Sequence, residues 1–509
     1  MKFDRKPKKT IKRKYNAEAC DEKMSFQECE LAILRQAVDE NEKLQGEKVA
    51  NSDQIKKMID ILEEFLIRKK LICYGGTAIN NILPKYAQFY NREIEVPDYD
   101  FYSAHALDDA IELSDIYAKA GYDDVEAKSG VHHGTYKVFV NFIPMADITN
   151  IHPELFKALA KEAVSVAGIK YAAPNFLRMN MYLELSRPAG DVSRWEKVLK
   201  RLTLLNTYHP MKIDYNCNTV DFQRKLDSHV EDSEKIYFTV RDAFIEMGVV
   251  FFGGYASSLY SRYMPKEQQH LVKKIPDFDV LYENPEKCAI IVKERLEAAG
   301  FKKVVSLKHD AFDEIIPEHI EIKVDKEIVA FIYKPIACHN YNTIRIGNQE
   351  INVATIDTIL NFYLAFMFSN APYYYKDRIL CMAQFLFNVE QENRLEQRGL
   401  LKRFSSSCYG KQETLESIRA TKADKFKELK DKKESREFKE WFFKYKGTHG
   451  IQQSLRLKIP PSTENSKKTS RKNKRKTIKP KELTEFQKLW LKIPPLENVS
   501  EKPHRKNKC

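Results

Sequence analysis

The sequence lacks the features that mark secreted and disulfide-stabilised proteins. Its nine cysteines are scattered over 509 residues, their number is odd, and no two form a Cys-x-x-Cys pair. This usage indicates a reducing compartment and argues against a disulfide framework or a zinc site. The basic start, MKFDRKPKKTIKRK, is not followed by an apolar core, so no signal peptide is expected.

A long apolar run is also missing. The most apolar later segment, Ile356 to Phe368, is interrupted by Asp357 and Asn361 and is too short to span a bilayer. We therefore expect a cytoplasmic protein without a transmembrane segment, one that is neither secreted nor bound to a membrane.

Positive charge is in excess. The formal net charge is +13, and 43% of the residues are hydrophobic, which is enough for two or three domain cores. Such a balance points to a polyanionic partner, with nucleic acid ahead of a membrane surface. Basic runs at Met1 to Tyr15 and Ser466 to Lys481 are typical of arms attracted to phosphate or of localisation signals.

The stretch from Leu71 to Tyr102 combines a glycine turn with two acids. A strand-like run ends in Gly75-Gly76-Thr77, a helix-like segment follows, and a second strand carries Asp98 and Asp100. Residues two apart in a strand point to the same face, so the two carboxylates are expected side by side near the turn. The glycines would let backbone N–H groups approach phosphate, and Thr77 would offer a hydroxyl to the β or γ phosphate.

A third acid follows on a later strand. The segment Tyr136 to Ile148 indicates one buried strand that carries Asp147. Two Mg²⁺ ions about 4 Å apart can clamp the attacking and leaving oxygens of an in-line phosphoryl displacement. Holding two such ions takes about three carboxylates, because each ion also keeps waters and binds substrate phosphate. Asp98, Asp100 and Asp147 are therefore predicted to be both the metal ligands and the catalytic residues, with Mg²⁺ (or Mn²⁺) as cofactor.

The second half of the chain repeats the first. VVFFGGYASSLY mirrors LICYGGTAINNI, and IPDFDVLYENP mirrors VPDYDFYSAHA, which places Asp277 and Asp279 where Asp98 and Asp100 stand. Aligning YKPIACHN with FIPMADIT puts Cys338 opposite the third acid; Asp325 and Glu327 are alternative third acids. A thiol is a poor ligand for Mg²⁺, so we predict a degenerate second half that serves architecture or RNA binding.

Together these motifs resemble a known family. A glycine-glycine-serine/threonine turn, two acids on a strand and a later third acid are similar to the DNA-polymerase-beta-type nucleotidyltransferase superfamily. Within it the segments YGGTAINNILP, PDYDFYS, NFIPMADIT and SRWEKVLKRL resemble the poly(A) polymerase catalytic subunits of poxviruses and other large cytoplasmic DNA viruses. The resemblance covers roughly Ile55 to Asn206 and implies that Gly75, Gly76 and Thr77 contact the nucleotide.

Four basic residues are candidates for triphosphate contacts. Arg194, Lys197 and Arg201 are three and four residues apart, so they share one helix face, and the resemblance implies that this segment lies beside the active site. Lys137, at the start of the third-acid strand, is the fourth candidate. The alternative is an ordinary solvated helix face.

The predicted fold class is α+β, with two tandem nucleotidyltransferase-like domains built from mixed sheets flanked by helices. The expected divisions are a basic arm and helical segment (residues 1–50), a catalytic domain (51–208), a second, inactive domain (209–390) and a charged helical extension with a basic tail (391–509). The apolar spacing predicts individual helices over Ala17 to Gln45, Ser52 to Lys69 and Asp108 to Gly121.

The predicted function is template-independent addition of AMP from ATP to RNA 3′ ends, in a viral mRNA-maturation setting in the host cytoplasm or virion. The resemblance implies RNA and ATP as partners and leaves open a homodimer or a separate processivity subunit. One alternative is another nucleotidyltransferase, either an oligonucleotide or cyclic-dinucleotide synthase or a terminal uridylyltransferase. The other is a non-catalytic RNA-binding scaffold.

Overall fold

The computed structural model describes residues 19–20, 24–91, 93, 95–211, 213, 216–220, 222, 230–264, 266, 269 and 277–448. All of them belong to one compact unit that spans Met1–Gln452. The basic runs at Met1 to Tyr15 and Ser466 to Lys481 lie outside the described residues.

Two eight-stranded mixed sheets form the frame of the described residues, in the strand orders β16-β3-β4-β5-β2-β1-β7-β6 and β10-β11-β12-β9-β8-β14-β13-β15. The strands of the first sheet are β1 Ile72–Tyr74, β2 Tyr99–Ser103, β3 Val125–Ser129, β4 Thr135–Val140, β5 Ile143–Asn150, β6 Val164–Val166, β7 Ile169–Tyr171 and β16 Lys444–Lys446. Those of the second are β8 Val250–Phe251, β9 Phe278–Leu281, β10 Val304–His309, β11 His319–Val324, β12 Glu327–Tyr333, β13 His339–Ile346, β14 Gln349–Ala354 and β15 Cys408–Tyr409.

Helices cover both sheets. In the described part of the chain they are α1 Phe26–Ala50, α2 Asp53–Lys69, α3 Gly75–Ile82, α4 Ala106–Lys119, α5 Pro153–Glu162, α6 Pro174–Leu185, α7 Trp195–Tyr208, α8 Val230–Met247, α9 Gly254–Tyr260, α10 Pro285–Ala298, α11 Ile356–Phe366, α12 Lys376–Glu392, α13 Leu415–Leu429 and α14 Arg436–Phe442. None of these described helices is both long enough and apolar enough to cross a bilayer.

The duplication extends through the whole strand order. In the first copy (residues 53–208) β2 runs antiparallel to β1 and parallel to β5, and β7 runs parallel to β1. In the second copy (residues 230–392) β9 has the same relations to β8 and β12, and β14 runs parallel to β8. The helices that follow the last strand of each copy, α6 and α11, pack against each other. Strands β15 and β16, from the segment after the second copy, extend one sheet each.

The predicted single strand from Tyr136 to Ile148 is wrong: it is a hairpin of β4 and β5. The turn is Asn141-Phe142, where both residues adopt positive φ, 49° and 67°. Two-residue hairpin turns of this kind usually contain Asn-Gly or Asp-Gly, because glycine tolerates positive φ. Phenylalanine in that position carries no turn signal, so the sequence reads as one continuous apolar run.

The alignment of Cys338 with Asp147 is also wrong. In the first copy Asp147 on β5 pairs with Asp100, and in the second copy the residue on β12 that pairs with Asp279 is Phe331. Cys338 lies after the end of β12, in the connection to β13. The predicted absence of a third acid is confirmed at the true equivalent position.

The expectation of no disulfide bonds is wrong for six cysteines. The structure joins Cys20 to Cys29, Cys217 to Cys381, and Cys338 to Cys408. Cys73 and Cys288 are buried free thiols. Two of the three pairs are separated by 164 and 70 residues, so only the folded chain brings their partners together.

Candidate active site

Three carboxylates meet on one face of the first sheet. Strands β2 and β5 run parallel, and Asp100 stands directly opposite Asp147 in their register. Asp98 immediately precedes β2 and, being two residues before Asp100, shares its side of the strand. The sequence places Asp98 beside Asp100, and the sheet adds Asp147.

The charges of neighbouring acids affect the pKa values of Asp98 and Asp100. Burial, followed by the charges of Asp98 and Asp147, raises the pKa of Asp100 to about 7. Burial and the charge of Asp147 also raise the pKa of Asp98. Carboxylates that repel one another in a partly desolvated site favour a nearby cation. Lys137 opposes the rise at both acids.

The glycine turn packs directly against the acids. Gly75 adopts a φ of +71°, and a Cβ atom built on it would lie 2.6 Å from Oδ2 of Asp100. Gly76 is equally crowded on its other side, where a Cβ atom would lie 2.6 Å from the Tyr90 hydroxyl. A side chain at either glycine would therefore have to displace a neighbouring side chain. The two glycines open α3, whose first N–H groups have no partner within the helix.

Thr77 joins the turn to the acid strand. Its side chain is buried, and its hydroxyl donates to the backbone carbonyl of Asp98 at 2.5 Å. This bond fixes Asp98 relative to the helix start. The hydroxyl proton is thus engaged within the protein, so a contact of Thr77 with phosphate remains a prediction.

The four predicted basic residues take different positions. Lys137 lies opposite Asp147 in the β4–β5 register and forms a close ion pair with it. On α7, the charge of Lys197 reaches Asp98, and the charge of Arg194 reaches Asp100. Arg194 is exposed and its Nε lies 3.1 Å from Glu184. Arg201 lies against Gly76 instead, with Nη1 2.9 Å from a Cβ atom built there.

Sequence reasoning missed two aromatic residues at the site. Tyr74 precedes the glycine turn and pairs with Asp100, and its ring stacks on Tyr102 with centroids 3.9 Å apart. Tyr90 accepts a hydrogen bond from Nη2 of Arg201 at 2.5 Å. Tyr74 ends a strand next to the glycines, which could have identified it. Tyr90 stands in an irregular segment, where no periodicity points to it.

The equivalent place in the second copy is filled by aromatic rings. Phe331, opposite Asp279, packs 5.0 Å from the ring of Tyr373, whose hydroxyl lies 3.0 Å from Nε2 of His319. The glycine turn survives there, since a Cβ atom on Gly253 would overlap Asp279. The second copy thus keeps the backbone of the site without its third carboxylate.

The donor set of the first copy suits a hard divalent cation. All three acids offer carboxylate oxygens, the ligands that Mg²⁺ and Mn²⁺ prefer. Within the described ranges, no three His, Cys, Asp or Glu side chains are gathered tightly enough to be a ready metal site, and Asp147 is paired with Lys137. The mutual repulsion at Asp98 and Asp100 is the observation that fits a cation between the acids.

Comparison with known proteins shows what this site is similar to. Residues 60–191, which include the three acids and the glycine turn, match the family model described as the poly(A) polymerase catalytic subunit. A protein of African swine fever virus, named as a candidate poly(A) polymerase catalytic subunit, is 31% identical over 170 residues, or 32% of this chain and 35% of that protein. One of Acanthamoeba polyphaga mimivirus with the same name is 30% identical over 177 residues, or 33% and 28%. The chain thus matches about a third of the length of these relatives.

The fold has a wider likeness. The crystal structure of the Megavirus polyadenylate synthase superposes with a TM-score of 0.67 at 18% identity, over 83% of this chain and 87% of that one. At this identity the likeness shows the fold alone, and it confirms the predicted α+β class. The resemblance predicted from the motifs is confirmed as well: residues 60–191 match the poly(A) polymerase catalytic subunit family, and most of the chain shares the fold of the Megavirus polyadenylate synthase.

Proposed function

We propose that the protein is a polynucleotide adenylyltransferase, which adds AMP from ATP to RNA 3′ ends during viral mRNA maturation. The observation that carries this proposal is the meeting of Asp98, Asp100 and Asp147 on one face of the first sheet. The family match over residues 60–191 supports the same reaction class. Residues 51–208 would form the catalytic domain, and residues 209–390 the inactive one.

The proposed reaction assigns one role to the acids and another to the glycine turn. Asp98, Asp100 and Asp147 would hold Mg²⁺ or Mn²⁺, which supplies charge neutralisation and an activated 3′ oxygen for in-line displacement at the α-phosphorus. The turn at Gly75 and Gly76 presents backbone N–H groups to the triphosphate. These groups would bind the triphosphate, so that the 3′ oxygen displaces pyrophosphate from the α-phosphorus.

The cations near the site have a corresponding role. Arg194, Lys197 and Arg201 on α7, with Lys137 on β4, would neutralise the triphosphate before and during transfer. Lys137 can do so only if it exchanges its present carboxylate partner, Asp147, for a phosphate oxygen when substrate binds.

RNA and ATP are the proposed partners, and the formal net charge of +13 favours the RNA. A homodimer and a separate processivity subunit are two ways to keep the RNA bound between additions. Light scattering of the purified chain with and without an RNA oligonucleotide distinguishes them. A dimer supports the first arrangement. A monomer that extends RNA only in short bursts supports the second.

A primer-extension assay with each labelled nucleotide in turn tests the proposal. We expect incorporation with ATP, Mg²⁺ and an RNA primer, and little with CTP, GTP or UTP. Preference for UTP would make the protein a terminal uridylyltransferase. Product formed from ATP without a primer would indicate an oligonucleotide or cyclic-dinucleotide synthase. No incorporation of any nucleotide would favour a non-catalytic RNA-binding scaffold.

Replacing Gly75 by alanine is expected to abolish most of the extension activity. The new Cβ atom would displace the Asp100 carboxylate, and the positive φ adds backbone strain of about 1–2 kcal/mol. The measurements are the extension rate and the thermal unfolding temperature. Gly121→Ala is the matched control, because Gly121 also has positive φ (+95°) but has nothing within 4 Å of the added atom. Equal activity losses in both variants would contradict a specific contact with Asp100.

A further inference from the structure

Arg201 is held differently from the other cations of α7. Its guanidinium lies over the ring of Phe89 at 5.0 Å and over that of Tyr90 at 5.5 Å, measured to the ring centroids. Its Nη2 donates to the Tyr90 hydroxyl at 2.5 Å. Arg194, by contrast, pairs with a carboxylate at the surface. Among the residues with described placement, no carboxylate pairs with Arg201, so this half-buried charge is left for an anion.

Tyr90 is itself fixed to the helix that carries the glycine turn. The buried side chain of Asn80, on α3, accepts hydrogen bonds from the backbone N–H groups of Phe89 and Tyr90 at 2.8 and 2.9 Å. Gln88 adds a bond to the carbonyl of Leu83, at the end of the same helix. The backbone of Tyr90 is therefore tied to α3, the helix that the glycine turn opens.

The side chains of Tyr90 and Arg201 meet the start of α3 at Gly76. A Cβ atom built there would lie 2.6 Å from the Tyr90 hydroxyl and 2.9 Å from Nη1 of Arg201. The guanidinium is thus pressed against the start of α3, where the backbone N–H groups are exposed to an incoming anion. Its planar set of donors suits a phosphate oxygen, and the Tyr90 bond uses only one of them.

The second copy has a different residue at the position of Asn80. In the alignment of LICYGGTAINNI with VVFFGGYASSLY, Ser258 takes the place of Asn80. The Ser258 hydroxyl donates to the carbonyl of Tyr255, three residues earlier in its own helix. The residue at this position therefore makes a different bond in each copy.

We propose that Tyr90 is a positioning residue, which holds Arg201 in the orientation that receives the terminal phosphates of the nucleotide. This inference rests on the proposed function, from which it takes a nucleoside triphosphate as the ligand. It does not depend on which base that nucleotide carries. Tyr90 acts through Arg201 and need not touch the reacting atoms. Without its hydroxyl the guanidinium keeps its charge and loses its fixed direction, so the phosphate must order it on binding.

The test measures binding of inorganic tripolyphosphate to the full chain by calorimetry, with AMP as the second probe. Tyr90→Phe is expected to weaken tripolyphosphate binding about 10-fold, the size expected for loss of a hydrogen bond to a charged group, and to leave AMP binding unchanged. In extension assays the same variant should raise the KM for ATP by a similar factor, with a smaller change in kcat and no change in the KM for RNA.

A double-mutant cycle separates positioning from general structure. In an Arg201→Ala background, Tyr90→Phe should have no further effect on tripolyphosphate binding, because the two side chains act as one unit. Tyr122→Phe, which removes a hydroxyl that donates to the Gln54 carbonyl at 3.4 Å, is the matched control and should bind as the wild type does.

Two results would overturn the inference: unchanged tripolyphosphate binding in Tyr90→Phe, or an equal loss in the presence and absence of Arg201. If Tyr90→Phe fails to fold, Arg201→Lys, which keeps the charge but changes the donor geometry, must show the same selective loss of tripolyphosphate binding. Failure of the proposed function appears elsewhere, in the nucleotide preference of the wild-type chain, and would leave these binding results intact.

Discussion

Replacing Asp98 and Asp100 together by asparagine is expected to lower ATP-dependent RNA extension by at least about 1,000-fold. Asparagine keeps the shape of the side chain and removes the negative charge that a divalent cation requires, a loss of about 4 kcal/mol or more of transition-state stabilisation. RNA binding should stay nearly unchanged, since both acids would repel rather than attract phosphate. Single-turnover extension and fluorescence anisotropy with the same labelled RNA measure the two effects.

The second copy provides the matched control. Asp277 and Asp279 occupy the same places beside a surviving glycine turn, but Phe331 replaces the third acid. Their asparagine variants should extend RNA at close to the wild-type rate if the protein stays folded. A comparable loss of activity in both double variants, at equal unfolding temperatures, would show that the second copy takes part in catalysis.

Replacing Arg403 by methionine is expected to lower the free energy of unfolding by about 3–5 kcal/mol. Its guanidinium is 6% exposed and binds Asp357 through two hydrogen bonds, at 2.6 and 2.9 Å, and Glu390 at 2.7 Å. Both acids are almost fully buried. Burial already raises the pKa of Glu390 to about 7. The substitution therefore leaves two acids in the interior without their cation.

This ion-pair group also joins the two copies. Glu390 on α12 accepts a hydrogen bond from Tyr182 on α6 at 2.8 Å, so the second copy is tied to the helix that follows the first sheet. Chemical denaturation measures the loss. Arg436→Met removes an exposed pair with Glu440 and should cost no more than about 0.5 kcal/mol. Similar losses of unfolding free energy in both variants would mean that the buried ion pairs of Arg403 stabilise the protein no more than an exposed pair does.

Much of the catalytic half could be predicted because its signals are local. The pattern predicts a helix from Ser52 to Lys69, and the structure has α2 at Asp53–Lys69. The acid pair follows from strand alternation alone, since Asp98 and Asp100 are two residues apart. The duplication is visible because the glycine turn and the acid pair recur at nearly the same spacing.

What depended on non-local pairing could not be predicted. The hairpin turn at Asn141-Phe142 contains a phenylalanine, which gives no turn signal. The sequence therefore predicts one strand for Lys137 and Asp147, whereas the two residues face each other on neighbouring strands. The third-acid position of the second copy is set by the pairing of β12 with β9, which puts Phe331 rather than Cys338 opposite Asp279. The disulfide partners Cys217 and Cys381 are distant in the sequence and meet only in the folded chain.

The different contacts of the three basic residues on α7 could not be predicted for the same reason. Helical spacing indicates one face for Arg194, Lys197 and Arg201, but it does not say what each of them meets. The structure gives Arg194 a carboxylate partner and Arg201 a phenol held by Asn80. That difference depends on an irregular segment between the glycine turn and the acids, which no periodic pattern describes.

The most direct test of the central claim is the base composition of tails made by the wild-type chain. An RNA primer is incubated with Mg²⁺ and an equimolar mixture of all four nucleoside triphosphates, and the added nucleotides are sequenced. Adenylate transfer at the first copy predicts tails that consist almost entirely of A, and no tails with the Asp98 and Asp100 variant. Tails of mixed composition, tails of U, or tails that persist in that variant would contradict it.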